Sequence, residues 1–476
     1  MKTEFTAIAL LLFFIHPTSS LGQGFILTDH EKASAYFSSA NDAAHPCIST
    51  QEYEKIWQRC SENASRLGLD TTSQQRAPVL FSWPLQSSEE FTDCSYYGIT
   101  GHVDQDIQSG SVADYHCGML TYDGHQGTDI ATWPFPFYKM ENDQVQVIAA
   151  ADGILIDKGD GQYDRNCEWN GMSANYAIVQ HEDGSRALYW HMKSGSVTSK
   201  VIGEHISTGE YLGIVGSSGI STGPHLHFEL QSADSNPTYL DPYSGDCNIL
   251  NANSWWADQK PYLEPALLKT SVHTTDVNMP PCPQTEELNE SNSFTIPFQG
   301  PGLPPGYAKF YIFLRDVITG TKVDLRMKDA DGNVINSWNY TFPSDNVFYY
   351  WGWSKKLPAT EGTYTFEATY NEVTCAQTFD IQTLNGIATL LHPDQFNLYP
   401  NPSSSTIHLE GESIENGVYN LAIESMTGRR VWHDQVFVEN GFISKPISIS
   451  TIPTGTYFLY ITNEKGITVK KICKQD

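Results

Sequence analysis

The chain has 476 residues, a length that suggests about three domains. Its formal net charge is −27 and no stretch forms a basic patch, which excludes nucleic acid and anionic membranes as natural partners. A hydrophobic share of 40% is enough for folded cores, and an aromatic share of 12% favours strands over long helices.

The opening "MKTEFTAIALLLFFIHPTSSLGQGF" carries Lys2, an apolar run from Ala7 to Ile15, and small residues up to Gly22. This is a signal-peptide pattern over residues 1–22, too short to span a bilayer permanently. No later stretch approaches the ~20 apolar residues of a membrane span, so the expected product has no transmembrane segment and is secreted or held at the cell surface. Nine cysteines suit an oxidising destination. Pairing by proximity within candidate domains predicts Cys47–Cys60, Cys94–Cys117, Cys167–Cys247 and Cys282–Cys375, with Cys473 left over. No C-x-x-C motif occurs, which argues against a cysteine zinc site.

Residues 23–77 read as a polar helical segment, either a pro-region or an N-terminal brace. Within it "STQEYEKIWQRCSENASRLGL" offers Ser49 or Thr50 as a cap and sets Tyr53, Ile56, Trp57 and Cys60 at helical spacing. From residue 78 the character changes. Short alternating runs such as "VQVIAAADGILI", "NYAIVQHEDG", "RALYWHM" and "HLHFEL", separated by turn residues, predict a compact antiparallel β domain over 78–270. That stretch holds 25 acidic residues against 8 basic ones, so the acidic excess is dense there. "NMPPCPQ" reads as a linker. Beyond it "AKFYIFLRDV", "SWNYTF" and "GTYTFEATY" alternate as a β-sandwich within 271–385, and a third all-β unit occupies 386–476. The expected fold class is mainly β: an antiparallel β domain followed by two β-sandwich domains, behind a short helical N-terminal segment.

Three stretches of the 78–270 domain carry histidine: "GHQGTD" with His125 and Asp129, "YWHMK" with His191, and "GPHLHFEL" with His225 and His227. Strand parity places His225, His227 and Glu229 on one face and Leu226, Phe228 and Leu230 on the other. In "LYWHM" it sends Leu188 and Trp190 one way and Tyr189 and His191 the other. Each stretch alone is ordinary, since Asp, Gly and Thr are turn residues and histidine is used broadly. Their conjunction in one domain points to a metal. A catalytic zinc takes three His or carboxylate ligands and keeps an open position, whereas a closed structural site takes four. Four histidines and one aspartate supply three ligands and two further imidazoles for proton transfer and oxyanion stabilisation. Parity does not decide which of His225 and His227 is a ligand.

These motifs resemble the lysostaphin and beta-lytic family of zinc metallopeptidases, whose members carry His-x-x-x-Asp, a later Tyr-x-His and a terminal His-x-His. Here they are "HQGTD", "YWH" and "HLH", in the same order. The resemblance extends over "FSWPL", "VIAAADGILI" and "GSSGISTGPHLHFEL" and implies an antiparallel β metallopeptidase domain. Carried over residue by residue, it implies that His125, Asp129 and His227 bind Zn2+ and that His191 and His225 are the catalytic pair. Two departures stand out. Trp190 occupies a position where many relatives have a small residue and is expected on the opposite face from the site. The insertion "TWPFPFYKMEND" is available as a wall of the substrate cleft. Glu229 is read as support for a ligand histidine rather than as a general base, because no helical His-Glu-x-x-His motif exists. His102, His116 and His181 read as structural, and "DKGDGQYD" fails the spacing of a calcium loop.

The last unit resembles the C-terminal sorting domain of the type IX secretion route, through "NLYPNPSSSTIHL", "NLAIESMTGRRVW" and "GTYFLYITNEKGITVKKI". This implies the secretion machinery as a partner. For the middle sandwich, "FYYWGW" is either a glycan- or peptide-binding face or core packing of a spacer. The family resemblance implies a secreted zinc endopeptidase acting on peptidoglycan cross-links, here those of other bacteria given the outward address. A glycine-rich protein is the alternative substrate. A non-catalytic cell-wall-binding module is the rival outside enzymology; relatives of that kind lose ligands, whereas all five positions are filled here.

Overall fold

The computed structural model describes residues 48–69, 78–168, 171–232, 238–383, 389–390, 395–426, 428–463 and 466–475. The signal-peptide pattern, Cys47 and most of the 23–77 segment lie outside the described residues. The chain divides into two compact units, one reaching to Ile381 apart from Thr295–Pro297, the other formed by those three residues and Gln382–Asp476.

Helix α1 (Thr50–Leu67) starts where Ser49 Oγ accepts a hydrogen bond from the Glu52 N–H at 3.3 Å and stops at Gly68, whose φ of 67° only glycine adopts without strain. Ile56, Cys60 and Ala64, four residues apart, form its buried stripe. The strands that follow are β1 (Leu85–Ser87), β2 (Tyr97–Gly101), β3 (Thr128–Thr132), β4 (Val145–Ile148), β5 (Gly153–Gly159), β6 (Tyr176–Gln180), β7 (Arg186–Trp190), β8 (His205–Ile206), β9 (Tyr211–Ile214), β10 (His225–Gln231) and β11 (Tyr239–Leu240). A short helix α2 (Pro136–Glu141) sits between β3 and β4.

An antiparallel sheet runs β2-β3-β10-β7-β6-β5-β8, with β11 added beside β10; β1-β4-β9 form a smaller sheet. Strand β10 is central and carries the expected alternation. Leu226, Phe228 and Leu230 enter one core with Leu155, Val179 and Tyr189 of the same sheet and Val145, Val147 and Leu212 of the small one. Each such side chain contributes roughly 1.5–3 kcal/mol when buried, so the apolar set dictates which way the strand faces. The opposite, histidine-bearing face is partly covered by α1. Ile56 and Cys60 pack there on Ile156, Tyr176, Ile178, Leu188 and Trp190.

The middle sandwich belongs to the same unit. Its strands are β12 (Ala266–His273), β13 (Ser293–Ile296), β14 (Tyr307–Val317), β15 (Lys322–Lys328), β16 (Val334–Thr341), β17 (Asn346–Lys356), β18 (Gly362–Tyr370) and β19 (Val373–Thr383), arranged as sheets β12-β14-β17 and β13-β19-β18-β15-β16. The bridges differ from those expected: Cys94–Cys375, Cys117–Cys247 and Cys167–Cys282, with Cα–Cα separations of 5.9, 5.2 and 5.8 Å. Neighbours in sequence are thus not neighbours in space, and two of the three bridges tie the peptidase-like sheet region to the sandwich. Cys60 has no disulfide partner among the described residues, and Cys473 is likewise unbridged.

The insertion after the first histidine motif packs its aromatic residues against the sandwich. Trp133 and Phe135 are buried with Leu268, Tyr311, Phe313, Phe348 and Tyr350 of the sandwich. Trp133 stacks on Phe348 at 5.0 Å. Gly98 lies against that ring, and a Cβ there would sit 2.4 Å from Phe348 Cε1. Polar groups close the same contact: Lys139 is buried and pairs with Asp93 at 3.0 Å, and Asp93 also pairs with Lys269 at 2.6 Å.

The second unit contains β20 (Thr389–Leu390), β21 (Phe396–Tyr399), β22 (Thr406–Glu412), β23 (Gly417–Ser425), β24 (Arg430–Val438), β25 (Phe442–Ser448), β26 (Gly455–Thr462) and β27 (Gly466–Lys474). They form sheets β20-β27-β26-β23-β24 and β21-β22-β25 around a core that includes Phe396, Leu409, Tyr419, Leu421 and Leu459. The mainly β fold class read from the sequence is borne out.

Candidate metal centre and active site

Two of the candidate ligands are set by sheet register. Asp129 on β3 lies directly opposite His227 on β10, so the two side chains share a face. His227 Nδ1 is 2.9 Å from Asp129 Oδ1. The third ligand comes from the loop before β3. Gly124 turns the chain there with φ 76°, its N–H donating to Asp104 Oδ2 at 2.9 Å. His125 then follows with its ring stacked on Tyr122 at 4.1 Å. Its Nδ1–H donates to the His102 carbonyl at 2.6 Å, which turns Nε2 inward to 3.2 Å from both His227 Nδ1 and Asp129 Oδ1.

The three ligand atoms therefore converge within 4.8 Å of one another, and all three residues are buried. Two imidazole nitrogens 3.2 Å apart, with a carboxylate oxygen between them, form an N,N,O donor set that suits Zn2+. Burial opposes ionisation of Asp129, but the surrounding imidazoles of His125, His225 and His227 outweigh it and hold its carboxyl well below the usual range. An anionic oxygen is therefore ready for a cation.

His225 and His191 stand beside this cluster. His225 Nδ1 donates to the Gly223 carbonyl at 2.8 Å, and its Nε2 faces Asp129 Oδ1 at 3.7 Å. His191 Nδ1 donates to the Ser218 carbonyl at 2.7 Å, and its ring centroid lies 4.5 Å from that of His225. Strand parity alone misplaces this residue. β7 pairs with β10 so that Tyr189 lies opposite Phe228 and Trp190 opposite His227. Simple alternation would send His191 to the core side with Tyr189. Instead His191, just past the strand end, adopts φ 70°, and the side chain turns back to the histidine face. A left-handed non-glycine residue costs about 1–2 kcal/mol, a strain characteristic of sites that must aim a side chain.

The same register corrects the expectation for Trp190. It stands on the histidine face, stacks on Tyr176 at 4.3 Å and closes the apolar layer beneath α1. Glu229, one alternation beyond His227, is buried, with Oε2 3.6 Å from His227 Nε2. The other histidines stay outside the cluster. His102 is enclosed by Tyr115, Tyr243 and Tyr262, His116 stacks on Tyr262, and His181 packs edge-on against Phe81. Sequence reasoning missed the supporting groups: the carbonyls of His102, Ser218 and Gly223 and the Tyr122 ring. Carbonyls leave no trace in residue type.

Comparison with known proteins places the cluster within a matched segment. Residues 123–242 match Peptidase family M23, and residues 397–475 match the Secretion system C-terminal sorting domain. The DD-carboxypeptidase/endopeptidase Mpg of Neisseria meningitidis is 39% identical over 83 residues, covering 17% of this chain and 16% of that protein. The glycyl-glycine endopeptidase ALE-1 of Staphylococcus capitis is 31% identical over 97 residues, covering 20% of this chain and 24% of its own length. The chain thus spans less than a quarter of the length of these relatives. Among solved structures, the catalytic domain of lysostaphin from Staphylococcus simulans is 22% identical, covering 33% of this chain and 96% of that domain with a TM-score of 0.19. No helix among the described residues is long and apolar enough to cross a membrane. The chain therefore carries a peptidase family M23 domain around its buried His–Asp–His cluster and, over residues 397–475, a secretion system C-terminal sorting domain.

Proposed function

We propose that this protein is an exported zinc metalloendopeptidase that hydrolyses peptide cross-links in the peptidoglycan of other bacteria. The observation that carries the reading is the convergence of His125 Nε2, His227 Nδ1 and Asp129 Oδ1 beside a second, separately anchored pair of imidazoles. His125, Asp129 and His227 would hold the metal; zinc, when bound, supplies Lewis acidity toward a carbonyl oxygen and makes water more acidic. His191 and His225 act on the substrate side. Each has its Nδ1–H committed to a backbone carbonyl, so Nε2 is the atom that takes a proton from the attacking water. Once protonated, the same atom donates to the oxygen that gains charge in the tetrahedral intermediate or to the departing amine. The carbonyl anchors fix both rings in advance, so little reorganisation accompanies the step.

Peptidoglycan is the favoured substrate because relatives matched over this domain are endopeptidases and carboxypeptidases of that kind, and the sorting tail directs the protein outward. A glycine-rich protein is the second reading, favoured by the dense acidic excess of the 78–270 region, which is repelled by anionic wall polymers. The test is zinc content together with release of peptides from purified peptidoglycan, for wild type, His125→Ala and His191→Ala. His125→Ala is expected to lose metal and activity, and His191→Ala to keep metal and lose turnover. An active His191→Ala sinks the assignment of the catalytic pair, and a wild type that holds no zinc and cleaves nothing favours a binding module.

A further inference from the structure

The N-terminal helix reaches the metal cluster through one side chain. Tyr53, in the first turn of α1, donates its hydroxyl to Glu229 Oε1, which also accepts from Gln231 Nε2 at 2.7 Å. Both hydrogen bonds fall on the same carboxylate oxygen. The other, Oε2, is buried with no hydrogen-bond partner among the described residues, and His227 Nε2 faces it across 3.6 Å. Burial and the Glu229 carboxylate push the Tyr53 hydroxyl well above its ordinary value, so it stays a donor.

We propose that Tyr53 is a positioning residue: by holding Glu229 Oε1 it aims Oε2 at His227 Nε2, and so fixes the ring orientation and tautomer in which His227 Nδ1 faces the metal. The chemistry requires such a device. A histidine that ligates through Nδ1 must carry its proton on Nε2, and a buried carboxylate facing Nε2 favours that tautomer. Glu229 could rotate away from His227 unless something holds it, and Tyr53 and Gln231 hold it. The helix is docked firmly enough to serve. Arg59 pairs with Asp157 at 3.1 Å and donates to the Tyr176 hydroxyl at 2.6 Å, and Asn63 Nδ2 donates to the Ile156 carbonyl at 2.9 Å. The Arg186 guanidinium lies over the Trp57 ring at 4.8 Å. In this arrangement α1 is a working part of the metallopeptidase rather than a removable leader.

The inference rests on the zinc-peptidase reading, and the experiment separates the two. Zinc affinity is measured by chelator competition on the full chain for wild type, Tyr53→Phe, Glu229→Gln and the double variant, with melting of the metal-free proteins alongside. Tyr53→Phe keeps the ring and its packing, so its metal-free melting temperature is expected to match wild type while zinc affinity falls about tenfold. The double variant is expected to bind no more weakly than Glu229→Gln, because Tyr53 acts through that carboxylate. Active secreted protein is expected to retain residues 50–67 by intact mass. Wild-type affinity in Tyr53→Phe, additive losses in the double variant, or an active mature form without α1 and with unchanged zinc affinity each overturns the proposal. A wild type that binds no zinc overturns the parent reading instead.

Discussion

Gly127 sits between His125 and Asp129, and a Cβ there would lie 2.7 Å from both Cε1 and Nε2 of His227 and 2.8 Å from the Phe228 carbonyl oxygen. Ordinary carbon contacts need about 3.4 Å or more, so something must move by roughly 0.7 Å. The carbonyl belongs to β10, paired with strands on both sides, so the imidazole is the part that yields. Zinc sites tolerate only about 0.2 Å of error in each ligand distance, which is well under that displacement. Gly127→Ala is therefore expected to weaken zinc binding by at least about tenfold. Overpacking should also lower stability by about 1–3 kcal/mol. The assay is competition against a chromophoric chelator, with thermal melting of the metal-free protein beside it. Gly127→Ala with wild-type zinc affinity and an unchanged melting temperature would refute the steric reasoning.

Removing the Cys94–Cys375 bridge by a paired serine substitution releases a loop of sequence separation 281, cut to roughly 150 residues while Cys117–Cys247 stays closed. Chain entropy then predicts a loss of about 5 kcal/mol, read by calorimetry under non-reducing conditions; a loss below about 1 kcal/mol contradicts the account. His273 is buried, with Nδ1–H donating to Asn289 Oδ1 at 2.7 Å and Nε2 accepting from Ser271 Oγ at 2.6 Å. Burial lowers its pKa to about 3, against about 6.5 in the unfolded chain. The unfolded state therefore binds the extra proton, so this stability is complete above pH ~6.5 and is lost as pH falls toward ~3, at about 1.4 kcal/mol per pH unit. Denaturant melts at pH 7 and pH 4.5 should show a smaller acid loss for His273→Gln than for wild type, by about 2–3 kcal/mol; equal losses remove the histidine from the explanation.

Period-2 alternation in "HLHFEL" was enough to read which side chains enter the core and which face the site, because the burial of Leu226, Phe228 and Leu230 leaves the strand no choice. The same rule failed one residue past a strand end. His191 keeps neither strand dihedrals nor strand parity, and nothing in "YWHMK" announces a left-handed backbone. Trp190 was misplaced for a related reason: its face depends on which strand lies alongside, and that register is non-local. The disulfides and the insertion carry a second lesson. Trp133 and Phe135 look like core residues, and they are, but of a core shared with strands nearly two hundred residues later. The cysteines follow that shared core rather than the boundaries suggested by composition. The helix was legible to its caps, Ser49 and Gly68, whereas the role of Tyr53 needed the position of Glu229 on another element.

The nested bridges give the exported protein a tolerance of a different kind. Cys94–Cys375 encloses both Cys167–Cys282 and Cys117–Cys247 along the chain. Any single backbone cut between residues 94 and 375 therefore leaves the two fragments covalently joined. A foreign protease that nicks a surface loop there, including the Pro-rich passage around Pro280, releases nothing until the bridge is reduced. After one such cut, the strand that carries His225 and His227 and the loop that carries His125 stay tethered to the rest of the chain.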